Sequence, residues 1–345
     1  IWQAKRKCPD LVLLPPHHEK YREYSAKVNA IYLRYTDRVE PFGIDESWLD
    51  VTDSIHLFGG DPQALADRIR KQVREEIGLT VSVGVSFNKV FAKLGSDYKK
   101  PDATTLITRE LVPSIVYPLP VGALLYVGKA TERTLNLAGI QTIGQLAAGN
   151  RDMLRALLGK MGETLYDYAC GNDQEPVRLW EERREVKSVG NGLTFPEDLE
   201  DLQEIDRQAL RLADKVASRL RKERLLCTSV QVTLRDPNFR TITRQKALKT
   251  PTHSTRDIHR CAMELILQNR KAPIRMLTVT AQNLLSQNAP RQISWLEEET
   301  ENKREAVEQA MDSIRQKYGE NAIQFAGMLQ KKKNVEKGVD KEGKV

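Results

Sequence analysis

The run Gly43-Ile44-Asp45-Glu46-Ser47-Trp48-Leu49-Asp50-Val51-Thr52 places two adjacent carboxylates, Asp45 and Glu46, in otherwise apolar, strand-like sequence. Read as one strand over Val39–Thr52, it sets two charges where burial costs heavily unless a counter-charge is near. A divalent cation is one answer, and carboxylate oxygens are the donors that magnesium prefers. A strand end, where both groups are merely solvated, is the other. Around this run the pattern alternates between helix and strand. Apolar residues recur at helical spacing over His18–Tyr35, and Pro62–Ile77 reads as a helix with a charged outer face. Leu79–Ser86 reads as a buried strand and Asn88–Tyr98 as another helix, so residues 17–110 are expected to form a sheet with helices on one side.

Further along, the texture changes near Leu111, and residues 120–170 carry short helical stretches broken by Gly122, Gly128, Gly139, Gly144, Gly149 and Gly159. Glycine turns of this kind let backbone N–H groups approach a phosphate, and they also serve as ordinary helix caps. Residues 181–187 read as a charged linker. A β-α-β-β-α-β order follows: strand Val186–Phe195, helix Leu202–Arg224, strands Thr228–Arg235 and Thr241–Lys249 around Asp236-Pro237-Asn238, helix Thr255–Asn269 and strand Ile274–Asn283. A further helix is expected over Asn302–Tyr318, and the lysine-rich stretch 331–345 is expected to be disordered.

Composition and charge narrow the function. Apolar residues make up 40% and charged residues 29%, as in a folded water-soluble chain of several domains. No run approaches the roughly 20 apolar residues of a membrane-spanning helix. Four scattered cysteines (Cys8, Cys170, Cys227, Cys261) have no metal-ligand spacing, which points to a reducing cytoplasm and away from structural zinc or disulfides. Residues 183–290 hold 20 Lys and Arg against 12 Asp and Glu, whereas the rest holds 34 against 35. A basic block of domain size on a neutral remainder suits a nucleic-acid grip, although a plain solvated surface would read the same way. Lys89, Lys93 and Lys100 lie just past the strand that neighbours the acidic pair, where they could offset a triphosphate's charge.

Taken together, GIDESWLDVT (43–52), SVGVSFNKVFAKLGSDYKKP (82–101), LLYVGKATERTLNLAGIQTIGQL (124–146) and KSVGNGLTF (187–195) resemble the Y-family translesion DNA polymerases of the ImpB-MucB-SamB kind, in order and spacing over roughly residues 1–325. The resemblance implies an α+β multidomain chain. Residues 1–16 would be the end of the fingers and 17–110 a partial palm, a ferredoxin-like sheet with helices. A helix-hairpin-helix thumb would follow at 111–180, and a ferredoxin-like little finger at 188–290 after the linker. It implies an error-prone DNA-directed DNA polymerase that adds deoxynucleoside triphosphates to a primer 3′ end on damaged template DNA, using two Mg2+ ions. Asp45 and Glu46 would be catalytic and metal-binding, and Lys100 would bind the triphosphate. Lys187, Arg235, Arg240, Arg244 and Lys246 would follow the DNA backbone.

The match departs from the family at the start, where an Asp-x-Asp-aromatic strand and a Tyr-x-x-Arg pair have no counterpart and Ile1 stands in place of a methionine. The first metal-binding aspartate and the steric gate are therefore expected to precede Ile1, and the chain by itself is expected to polymerise poorly. A non-catalytic DNA- and clamp-binding fragment is the alternative reading. Val127-Gly128-Lys129 has one glycine where the family often has two. In the segment 291–330, Gln292, Ile293, Trp295 and Leu296 resemble the peptide by which such polymerases bind a sliding clamp. Phe58-Gly59-Gly60-Asp61 resembles a nucleotide-cyclase loop, but a turn ahead of Pro62 accounts for it. A monomer without membrane contact completes the expectation.

Overall fold

The structure, a computed structural model, describes residues 1–182, 185–289 and 295–329, with backbone alone over 295–303. The chain divides into two compact units, Ile1–Arg183 and Arg184–Val345. Thus the division falls inside the stretch read as a linker.

In the first unit, helix α1 spans Trp2–Lys7 and α2 spans His18–Tyr32, ending three residues before the expected limit. The Val39–Thr52 segment is not one strand. It is a hairpin of β1 (Val39–Pro41) and β2 (Ser47–Leu49), with Glu40 opposite Trp48. Helix α3 covers Pro62–Ile77. The Asp61 carboxylate accepts from the Gln63 and Ala64 amides at its start, Pro62 fills its first position, and Gly78 closes it at φ 77°. Gly59 and Gly60 both lie at positive φ just ahead of it, so this glycine pair is the turn that feeds α3. Ile31 and Tyr35 pack against Leu65, Ile69 and Val73 of α3.

Strand β3 begins later than expected, at Val83–Ser86, and pairs in parallel with β4 (Thr104–Ile107). A parallel pair needs a crossover, and α4 (Lys89–Tyr98) supplies it, capped by the Asn88 side chain on the Phe91 amide at 2.8 Å. Here glycine is required for space, since a Cβ on Gly84 would meet the Ala92 carbonyl oxygen at 1.9 Å. The expected single sheet is thus two separate two-stranded sheets. Helices α5 (Lys129–Leu137), α6 (Ile143–Ala147), α7 (Arg151–Leu158) and α8 (Lys160–Ala169) follow. Gly139 at φ 83° and a Thr142–Gln145 capping box form the α5–α6 corner. Leu135, Ile143, Leu146, Leu154 and Leu165 share one core with Val90, Phe91 and Leu94 of α4.

The second unit has the expected β-α-β-β-α-β order with longer strands: β5 (Ser188–Leu199), α9 (Leu202–Lys222), β6 (Leu225–Arg235), β7 (Thr241–Thr252), α10 (Thr255–Asn269) and β8 (Ile274–Ser286). The strands lie in the order β5-β8-β6-β7, with every neighbouring pair antiparallel. Each β-α-β unit is therefore split by an intervening strand. Ile205, Ala209, Leu212, Val216 and Leu220 bury one stripe of α9 against Val230, Val232, Leu277 and Val279. Helix α11 starts at Trp295, seven residues before the expected Asn302, and runs to Tyr318. It is held to α9 by ions: Arg221 pairs with Glu308 and, at 2.6 Å, with Asp312, while Arg315 reaches Asp214 at 3.0 Å. The expected disordered stretch 331–345 lies outside the described residues.

Candidate active site and nucleic-acid interface

Asp45 and Glu46 occupy the bend of the β1–β2 hairpin, not the interior of a strand. Gly43 turns the chain at φ 108°, and the Phe42 N–H donates to the Glu46 carbonyl at 2.8 Å to close the bend. At a bend the two carboxylates need no buried counter-charge. Asp45 is exposed, and the Glu46 side chain keeps 33% of its surface.

The hairpin is fixed from below. Ser47 Oγ donates to Asn29 Oδ1 of α2 at 2.7 Å, and Trp48 Nε1 donates to the Lys89 carbonyl at 3.0 Å. The Trp48 ring lies 4.5 Å from that of Phe42, centroid to centroid. Beneath it, Lys89 and Glu40 form an ion pair at 2.6 Å with side chains only 6% and 3% exposed. The Lys89 ammonium also sits 5.2 Å from the Trp48 ring centroid, and the Arg178 N–H donates to Glu40 Oε2 at 3.2 Å. Thus Lys89, grouped in the sequence with the triphosphate lysines, serves inside the fold.

The other two lysines belong to a chain of alternating charge that begins at the bend. Lys93 Nζ bridges Glu46 at 2.9 Å and Asp97 at 2.7 Å, and Asp97 holds Lys100 at 2.6 Å. Burial pulls the Lys93 ammonium down, yet hydrogen bonds to Asp97 and Glu46 outweigh it and leave the group above the usual lysine range. Burial likewise pushes the Asp97 carboxyl up, and the hydrogen bonds from Lys100 and Lys93 reverse this to a net lowering. Lys93 and Asp97 lie four apart on α4 and face the same way, and Lys100, two residues past the end of the helix, returns to Asp97. Glu46 and Lys100 are therefore linked through two side chains, while Asp45 stands apart from the ladder.

Among the described residues no group of three or more His, Cys, Asp or Glu is arranged to hold a metal. The bend still offers suitable donors. Magnesium keeps much of its octahedral shell as water and substrate phosphate, and uses one or two protein carboxylates.

The proposed DNA-contacting residues lie in the second unit and divide between faces. Lys187 is exposed just before β5, and Arg240 is exposed in the β6–β7 turn. Arg235, paired across from Thr241, gives its Nε–H to the Thr241 hydroxyl at 2.9 Å. Arg244 and Lys246 pair with the buried Val232 and Val230, which puts them on the helix-bearing side of β7. There Lys246 meets Glu264 of α10, and that contact raises the lysine's pKa and lowers the glutamate's. The opposite face carries rows the sequence reading missed. Gly192, Thr278, Thr233 and Thr243 align across the sheet, as do Gly190, Thr280, Gln231 and Gln245. Alternation with the buried valines was the signal available for them.

Of the clamp-like peptide, Gln292 and Ile293 lie outside the described residues, and Trp295 and Leu296 are described only as the first backbone positions of α11. No described helix is long and apolar enough to cross a membrane.

The sequence matches the model of the impB/mucB/samB family over residues 1–97 and that family's C-terminal domain over residues 186–295. The "DNA polymerase IV" of Acetivibrio thermocellus is 40% identical over 333 residues, spanning 96% of this chain and 83% of that protein. The "DNA polymerase IV 1" of Bacillus subtilis is 36% identical over 340 residues, spanning 98% and 81%. Among solved structures, a Y-family DNA polymerase chimera superposes with a TM-score of 0.72 at 24% identity, covering 83% of this chain and 82% of that one.

Proposed function

Because the chain belongs to the impB/mucB/samB family of Y-family translesion DNA polymerases and is thereby a DNA-directed DNA polymerase, we propose that it copies damaged template in an error-prone manner by two-metal nucleotidyl transfer at the Asp45–Glu46 bend. The observation that carries the site is the coupling of an exposed acidic bend to Lys93, Asp97 and Lys100 through ion pairs of 2.6–2.9 Å. In the reaction the primer 3′ oxygen bonds to the α-phosphorus of the incoming nucleotide, and the bond to pyrophosphate breaks. Magnesium, when bound, neutralises phosphate charge and favours the ionised 3′ oxygen. Asp45 and Glu46 would hold it, with Lys93 fixing the Glu46 carboxylate and Lys100 reaching the triphosphate. Lys187, Arg235, Arg240, Arg244 and Lys246 would hold the primer-template. Gln292, Ile293, Trp295 and Leu296 would dock transiently on a sliding clamp, and the polymerase would act as a monomer.

Primer extension by the intact gene product tests the assignment. Asp45→Ala is expected to abolish extension while primer-template affinity stays nearly unchanged. Retained extension would remove Asp45 from the chemistry.

A further inference from the structure

The β6–β7 turn presents an aromatic ring at a cost. Its backbone is locked: the Asp236 N–H donates to the Arg240 carbonyl at 3.0 Å, the Phe239 N–H to the Asp236 carbonyl at 3.0 Å, and the Arg240 N–H to Asp236 Oδ1 at 2.9 Å. The lock holds Phe239 at φ 63°, a left-handed conformation that glycine or asparagine adopts readily and a bulky side chain does not. Nor does the ring repay the strain by burial, because Phe239 is 68% exposed. Strain held without a packing return marks a position shaped by something other than stability.

What surrounds the ring indicates its ligand. The Arg275 guanidinium carbon lies 5.5 Å from the ring centroid, and Arg275 is itself fixed by two hydrogen bonds to the Asp198 carboxylate, at 2.9 and 3.1 Å. One side of the ring is thus backed by a rigid cation. Arg235, whose Nε–H donates to the Thr241 hydroxyl and not to a carboxylate, and the exposed Arg240 stand at the two ends of the same turn. An exposed aromatic face in a turn whose two ends carry arginines is the chemistry that holds single-stranded nucleic acid: the π-face takes a base and the cations take nearby phosphates. A duplex offers its phosphates to Arg235 and Arg240 equally well, but its bases are already stacked.

We propose that Phe239 is a stacking platform for an unpaired base of a single DNA strand, with Arg235 and Arg240 on the neighbouring phosphates. In the polymerase reading, on which this role rests, the strand is unpaired template. The direct test is fluorescence anisotropy of the intact chain with a labelled oligothymidine single strand and with a blunt duplex of the same length. Phe239→Ala should weaken oligothymidine binding about fivefold or more and leave the duplex unchanged within about twofold, whereas Phe239→Trp should retain single-strand binding. Phe239→Asn, which accepts the left-handed backbone, should melt no lower than the parent and yet bind oligothymidine as weakly as Phe239→Ala. Unchanged oligothymidine affinity, an equal loss on the duplex, or a lower melting temperature for Phe239→Asn would each overturn the proposal. The binding assay requires no turnover. The Phe239 effect without primer extension by the intact gene product would defeat the polymerase reading alone.

Discussion

Replacing Lys89 with methionine keeps the length of the side chain and removes its charge from a site only 6% exposed. The Glu40 carboxylate, 3% exposed, then loses the ammonium 2.6 Å away, while the Arg178 N–H at 3.2 Å remains among its partners. Removing one partner of a buried pair costs about 3–5 kcal/mol, a large share of the about 5–15 kcal/mol that holds a domain folded. Converting both partners costs less, because the buried carboxylate charge is removed together with the ammonium that faces it. Lys89→Met/Glu40→Gln is therefore expected to recover most of the loss, since glutamine still accepts the Arg178 N–H. Hydrogen exchange locates the effect. The Phe42 and Asp50 amides, which close the hairpin on Glu46 and Arg38, should lose protection in the single variant and regain it in the double. A single variant that costs under about 1 kcal/mol by urea denaturation, or a double no better than the single, would refute the claim that this pair anchors the hairpin.

The Lys93–Asp97 contact should contribute fully around neutral pH and be lost toward either extreme. Asp97 has a lowered pKa, so its contribution is full above its unfolded value and lost as pH falls through the lower folded one; Lys93 has a raised pKa, so its contribution is full below its unfolded value and lost as pH rises through the folded one. Asp97→Asn should accordingly flatten the acid limb of the stability curve and leave the neutral plateau's shape alone, as read by thermal melting across pH. Arg221→Met leaves Glu308 buried beside Thr255 without its guanidinium, and α11 should release from α9 at a cost of about 3 kcal/mol or more, seen as faster amide exchange in α11 than in the sheet. Primer-template affinity should fall with salt at a log–log slope of about −0.9 per phosphate neutralised, and Arg240→Ala should lower the slope's magnitude by about one on every sequence tried.

The β-α-β-β-α-β half was legible because its signals are local and regular. Val230, Val232 and Leu234 alternate along β6, and Ile205, Ala209, Leu212 and Val216 repeat at helical spacing along α9. The hairpin was harder to read because its bend has little turn chemistry: Phe42 and Ile44 flank Gly43, and the run passes for continuous strand. Pairing across long separations was not legible at all. Nothing near Lys89 in sequence marks Glu40, 49 positions away, as its partner, and nothing near Arg221 marks Glu308.

These misses bear directly on the acidic bend. The cost of burying a charge makes Asp45 and Glu46 conspicuous if they lie inside a strand, and the alternative of a solvated strand end is nearer to the bend they occupy. In the fold that cost falls on Glu40 instead, and Lys89 offsets it. The hairpin thereby keeps one carboxylate for structure and presents two others at its bend, where a cation can reach them without opening the core. Lys93 lies one helical turn beyond Lys89 on α4 and couples Glu46 to Asp97 and Lys100. One helix, placed by the close contact of Gly84 with the Ala92 carbonyl, thus anchors the hairpin with its first lysine and arranges the exposed charges with the next. Widening that contact with Gly84→Ala would shift both lysines together, because a Cβ at 1.9 Å from a backbone oxygen forces the helix to move.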